Sequence, residues 1–312
     1  MNSHALMSFS EAWLQGPQQT QFYTRQYTPQ TEPIAALVFL HGFAEHIGRY
    51  TSFHSKLAER SLLVFAFDQR GFGKTATDKE HKSSSSSYGK TSWNEHLTDT
   101  TWAIEHVTQK YPSLYIYLAG HSMGGGLVLG FGTPSEDSSH LASVSSIIGV
   151  IAMSPLIQPT KPPAKPIRTI GGALSKVMPN FLFPTDVDPK ALSRDPKIAE
   201  EYEKDPLVRT QGSLRGLNDM LTQGELLLST NYANWFKLVP LLLLHGTADR
   251  VTSFSATKAF YNKLDVHHKK LVPFQDAFHE LYNEIDGIPD KVMDEIMAFV
   301  REHTPVRYKP RM

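Results

Sequence analysis

The sequence predicts an α/β fold: a mostly parallel central sheet, helices on both faces, and one inserted segment over the strand ends. Three observations predict it. Continuous apolar runs of strand length alternate with stretches of helical spacing, the pattern of parallel strands buried on both faces. A Gly120-x-Ser122-x-Gly124 turn stands between such a run and a small-residue helix start. From 157 to 235 the alternation lapses and prolines cluster. Blocks 1–156 and 236–312 therefore form one discontinuous core, and 157–235 is an insertion that caps it.

Residues 9–28 alternate loosely and suit one or two antiparallel strands. Ala35–Leu40 is a continuous apolar strand ending in His41-Gly42-Phe43-Ala44-Glu45-His46. Residues 49–60 then carry Tyr50, Phe53 and Leu57 at helical spacing. Leu62–Phe67 is the next strand, ending in Asp68-Gln69-Arg70-Gly71-Phe72-Gly73. The serine run 83–87 reads as a mobile surface loop. Residues 93–111 predict a helix feeding the strand that opens at Tyr115; 134–140 is a polar loop, and Ile147–Met153 another strand. In the insertion, helical pieces are expected at 198–204 and 214–228. Its apolar side chains with frequent prolines suit an adaptable, lipid-facing lid. The core pattern resumes with a strand at 238–244, a helix at 255–264, the strand Lys269–Phe274 and a helix at 292–300.

Composition narrows the function. The 312 residues are 40% hydrophobic and 20% charged, an ordinary globular balance. Lys+Arg and Asp+Glu both number 31, so no basic surface calls for a nucleic-acid partner. The absence of cysteine excludes a disulfide framework, a thiolate metal site and a cysteine nucleophile. Residues 1–7 lack the basic and long apolar regions of a secretory signal, and 308–312 carry no lipidation signal. No apolar run approaches the roughly 20 residues of a transmembrane helix. The expected location is intracellular, peripheral to any membrane. No His/Asp/Glu cluster has compact ligand spacing, and Gly71-x-Gly73 lacks the rest of a dinucleotide fingerprint, so neither metal nor cofactor is expected.

The chemistry centres on Ser122. A strained strand-to-helix turn holds a serine at a strand end, and flanking glycines leave room for the neighbouring elements. A serine hydroxyl needs a base to take its proton, and the base needs a carboxylate to fix its tautomer. On elbows of this kind the partners follow in the order serine, acid, histidine. Scanning the later strand ends gives Asp249 beyond 238–244 and His279 beyond Lys269–Phe274. Asp68 and Asp186 are carboxylate alternatives, and both lie outside that order. The oxyanion needs two backbone N–H groups: those of Met123, after the nucleophile, and Phe43, in the earlier turn.

Six stretches carry a resemblance. They are His41-Gly42-Phe43-Ala44-Glu45-His46-x-x-Arg49-Tyr50, Phe67-Asp68-Gln69-Arg70-Gly71-x-Gly73, Gly120-His121-Ser122-Met123-Gly124-Gly125, Asp205-Pro206-Leu207, His245-Gly246-x-x-Asp249-x-Val251 and His279-Glu280-Leu281-x-Asn283-Glu284. Together they resemble the monoglyceride lipases of the α/β-hydrolase superfamily, fungal members above all, in a branch that also holds lysophospholipase-like enzymes. The resemblance implies an α/β-hydrolase fold and cofactor-free hydrolysis of monoacylglycerol to fatty acid and glycerol. It also implies a cap that meets membranes or lipid droplets, and places Tyr202 near the glycerol end of the substrate or, equally, in cap packing. A lysophospholipase or broad carboxylesterase on the same scaffold is the alternative activity, and a non-catalytic binding protein a remote one. Two departures stand out. Thr75 replaces a frequent serine, read as a neutral loop change, and the cysteines of mammalian members are missing, so thiol-directed inhibitors should fail.

Overall fold

The computed structural model describes residues 9–185 and 187–305. The two terminal stretches read above for targeting and lipidation signals, and Asp186, lie outside them. In chain order the elements are β1 (Ser10–Gln15), β2 (Gln21–Tyr27), β3 (Ala35–Leu40), α1 (Thr51–Glu59), β4 (Leu62–Phe67), α2 (Gly73–Thr77) and α3 (Trp93–Lys110). There follow β5 (Ile116–His121), α4 (Met123–Phe131), α5 (Leu141–Val144) and β6 (Ile147–Met153). The insertion holds α6 (Lys165–Val177), β7 (Leu182–Pro184), α7 (Pro196–Lys204), β8 (Gln211–Ser213) and α8 (Leu214–Ser229). The chain closes with β9 (Leu241–Gly246), α9 (Phe254–Lys263), β10 (Lys269–Phe274) and α10 (Ile288–His303).

Eight strands form one sheet in the order β1-β2-β4-β3-β5-β6-β9-β10. The β1–β2 and β2–β4 pairs are antiparallel, and every other pair is parallel. Alternate side chains of β3 explain the layering. Ala36, Val38 and Leu40 join one apolar cluster with Ile104 and Leu127, while Ala35, Leu37 and Phe39 join the other with Leu57 and Val292. Each large apolar side chain so buried contributes about 1.5–3 kcal/mol. Parallel pairing sends the carboxyl ends of β3, β4, β5, β6, β9 and β10 to one edge, where such sheets gather their sites.

The structure departs from the sequence reading in four places. β9 begins at Leu241, not 238, because Leu238 is 85% exposed and Pro240 cannot donate to the ladder. The proline cluster conceals α6: Pro166 sits in its first turn, where a missing N–H costs nothing. Thr75 lies in α2 and is buried, not in a loop; its hydroxyl donates to Asp68 O at 2.7 Å and accepts from Tyr23 N–H at 3.0 Å. A serine would supply the same group.

The serine run is the fourth, since it is tied down. Ser86 is fully buried and its hydroxyl accepts from Gly71 N–H at 3.1 Å. Gly89 N–H reaches Gly71 O at 2.8 Å, and Gly89 O accepts from Ser213 N–H at 2.7 Å. The run therefore connects the end of β4 to the insertion. Other ties agree. His46 Nε2 lies 2.7 Å from Asp205 Oδ2, the Tyr88 hydroxyl accepts from Arg209 N–H at 2.8 Å, and Glu280 N–H donates to Leu192 O at 2.7 Å. The insertion thus packs on loops at the carboxyl ends of the strands.

Candidate active site

Ser122 follows β5 and caps α4 with φ 55° and ψ −116°, a conformation that costs a non-glycine residue on the order of 1–3 kcal/mol. The surrounding sheet overdetermines it. Ser122 N–H donates to Met153 O at 3.0 Å, and Ser122 O accepts from Leu156 N–H at 2.8 Å and Gly126 N–H at 2.9 Å. A Cβ on Gly124 would press into Leu40 O, and one on Gly120 into Gly124 O. That is why the turn needs both glycines.

Asp249 follows β9 and His279 follows β10, on adjacent parallel strands, and both are buried. His279 Nδ1 lies 2.8 Å from Asp249 Oδ2. The carboxylate also accepts from Val251 N–H (2.7 Å), Thr252 N–H (2.9 Å) and the Thr252 hydroxyl (2.8 Å), with His245 Nε2 at 3.1 Å. Burial alone would raise the Asp249 carboxyl; the charge of His279 and bonds from both histidines outweigh it and hold it far below the usual carboxylate range. Burial would lower the His279 imidazole, and the Asp249 charge reverses this and raises it. His279 O accepts from the Ser154 hydroxyl at 2.8 Å and lies 3.3 Å from His121 Nε2, beside the nucleophile. Among the described residues, Ser122 Oγ makes no hydrogen bond to His279, a contact that in unliganded sites often tightens only with substrate.

The 41–43 turn lies against the elbow: a Cβ on Gly42 would stand 3.2 Å from Ser122 Cβ. Neither the Phe43 nor the Met123 amide donates to another described residue, so both are free to face an anion. His41 braces the turn, its Nε2 accepting from Gln69 N–H at 2.9 Å, and burial lowers its pKa to about 3. The Phe43 ring packs on Gly212 of β8. Tyr202 of α7 is 4% exposed and lies under the Arg49 guanidinium, 4.9 Å from ring centroid to Cζ, with no hydrogen bond to its hydroxyl among the described residues. Asp68 is spent on structure, accepting from Ile47 N–H at 2.8 Å and Lys74 N–H at 2.6 Å.

Sequence reasoning missed the supporting residues. His245, Thr252 and Ser154 orient Asp249 and His279, and Glu45, Arg49, Tyr50 and Glu280 form a buried polar layer behind the turn. His245, Glu45, Arg49, Tyr50 and Glu280 were signalled only by membership of the quoted motifs, and Thr252 and Ser154 lie outside them.

The family model for serine aminopeptidase, S33, matches residues 31–286. A Schizosaccharomyces pombe protein, provisionally named a monoglyceride lipase, is 35% identical over 285 residues, covering 90% of this chain and 71% of its own. The Homo sapiens monoglyceride lipase is 27% identical, covering 90% and 87%. Among solved structures, a soluble variant of the Saccharomyces cerevisiae monoglyceride lipase bound to a substrate analog superposes with a TM-score of 0.83 at 22% identity, covering 96% of each chain. The chain belongs to the serine aminopeptidase S33 family, α/β hydrolases, among its monoglyceride lipase relatives.

Proposed function

We infer that this chain is a carboxylic ester hydrolase that cleaves monoacylglycerols to a fatty acid and glycerol through an acyl-enzyme. The observation that carries the reading is the strained Ser122 elbow beside a saturated Asp249–His279 pair. Ser122 Oγ attacks the ester carbonyl carbon while His279 Nε2 takes its proton. The amides of Phe43 and Met123 hold the oxyanion, and the C–O bond to glycerol breaks as His279 returns the proton to the leaving oxygen. Water, deprotonated by His279, then attacks the acyl carbon and releases the fatty acid. Asp249 stays ionised throughout and fixes the ring.

The insertion serves as a cap, and two features support that reading. Ile167, Ile170 and Val177 of α6 are 65%, 60% and 79% exposed, an apolar face suited to a membrane or lipid droplet inside the cell. Beside them an apolar groove of about 560 Å³, lined by Ile167, Leu174, Met178, Phe181, Leu217 and Leu221, suits an acyl chain. Tyr202, under the Arg49 guanidinium and near Glu45, serves the glycerol end of the substrate or, equally, cap packing.

Replacing Ser122 with alanine is expected to lower turnover by about 10⁴–10⁶. A fluorophosphonate probe should label the parent at Ser122 and leave the variant unlabelled. Retained turnover or labelling in the variant refutes the assignment.

A further inference from the structure

Two of the buried carboxyl groups around this site, Asp249 and Glu45, are treated oppositely by the protein. Asp249 accepts from two backbone amides, one hydroxyl and two imidazoles. Glu45 is 4% exposed, and among the described residues its one hydrogen-bond contact is the Tyr50 hydroxyl, 2.7 Å from Oε2. Arg49 offers a charge within ion-pair distance but no hydrogen bond. Its Nε stands 3.8 Å from Glu45 Oε2 and has no hydrogen-bond partner, while its Nη2 donates to Glu280 Oε1 at 2.6 Å. A buried carboxylate beside a guanidinium closes to a short charge-assisted bond; this one has not.

Counting protons around Tyr50 sharpens the contrast. His121 Nε2 lies 3.3 Å from His279 O, which only accepts, so Nε2 carries the hydrogen. Burial and the neighbouring His279 hold the His121 imidazole well below its usual range, so the ring is neutral and Nδ1 is a bare acceptor. That Nδ1 is 2.9 Å from the Tyr50 hydroxyl, which therefore gives it its single proton. Gly42 N–H occupies one lone pair of the same hydroxyl at 3.3 Å. The remaining contact, to Glu45 Oε2, is a hydrogen bond only if the carboxyl supplies the proton.

We propose that Glu45 rests as a neutral carboxylic acid donating to Tyr50, and that this chain of donors holds the turn carrying Phe43 in register with the Ser122 elbow. The positioning part rests on the oxyanion reading above; the protonation state does not. Glu45 and Tyr50 act here as positioning residues. The groups facing Glu45 are Arg49 and Tyr50 from the approach to α1, His121 from β5, His279, Glu280 and Tyr282 after β10, and Tyr202 from α7. Burial first, and then repulsion by Glu280, push the Glu45 carboxyl up to about 7, against Arg49, Tyr50 and His279. The acid form is therefore present below about 7 and lost as pH rises through it.

Infrared difference spectroscopy on the full chain tests the protonation state. We expect a protonated-carboxyl C=O band that disappears as pH rises through about 7 and is missing from Glu45→Gln. A folded parent protein with no Glu45-dependent band on the acid side overturns the proposal. Steady-state kinetics on a soluble ester, normalised to fluorophosphonate-titrated sites, tests the positioning. Tyr50→Phe should lower kcat by about 10–100-fold, up to the loss of one oxyanion donor, and leave KM within about twofold. Glu45→Gln should recover at least about tenfold of the kcat lost in Glu45→Leu, since an amide can donate as the acid does. Unchanged kcat per titrated site in Tyr50→Phe, or no recovery in Glu45→Gln, overturns it. If instead Ser122→Ala keeps its activity, the functional reading fails while the infrared result still stands.

Discussion

Asp249 is ionised because five donors converge on it, and His279 is more basic than a free imidazole because Asp249 is charged. Two consequences follow for pH. The base must be neutral, so kcat/KM falls on the acid side with a midpoint above the ordinary histidine value. Asp249→Asn should move that midpoint down and cut kcat by about 10⁴, measured as a pH profile on a soluble ester. Stability follows the same groups. The contribution of Asp249 is present above its unfolded pKa and lost as pH falls through its depressed folded value. That of His279 is present below its unfolded pKa and lost as pH rises through its raised one. At this scale the sequence points to a residue where its type, a strand end and a chain order coincide, as for Ser122, Asp249 and His279, and the structure joins the last two at 2.8 Å. It was silent on Glu45 and Tyr50, because letters in a motif do not state who carries a proton.

Among elements, the strands buried along nearly their whole length were legible to the residue: β3, β4 and β6 begin and end where their apolar runs do. The insertion was not. Prolines that break a helix interior are harmless in its first turn, so α6 hid behind Pro163 and Pro166. The three-residue strands β7 and β8 exist through tertiary contact, β8 pairing with β7 and tied to Gly89. The serine run looked like a loose loop because its anchors, Gly71, Arg70 and Ser213, are distant in sequence or unremarkable in type. The exposed α6 face carries its own test. Ile170 and Val177 both changed to glutamate should lower fatty-acid release from lipid dispersions roughly tenfold more than from a short soluble ester, because each such side chain loses about 1.5–3 kcal/mol of apolar burial at an interface. Equal losses on both would argue against lipid docking by this face.

For the whole molecule, the sheet does two jobs, aligning Ser122, Asp249 and His279 at one edge and supporting the insertion above them. Arg70 and Asp99 join the end of β4 to α3 through paired contacts of 2.9 and 2.7 Å, both fully buried. Asp99→Leu strands the guanidinium and should cost about 3–5 kcal/mol in denaturant unfolding. Among the described residues no helix is long and apolar enough to cross a membrane. The central claim, a serine hydrolase selective for monoacylglycerol, is most directly tested by fatty-acid release from esters sharing one acyl chain. The set is monoacylglycerol, diacylglycerol, triacylglycerol and lysophosphatidylcholine beside a short soluble ester, each also run with Ser122→Ala. Strong preference for monoacylglycerol, abolished in the variant, is the expected result. Preference for the lysophospholipid or the short ester would contradict the substrate, and activity that survives in the variant would contradict the chemistry.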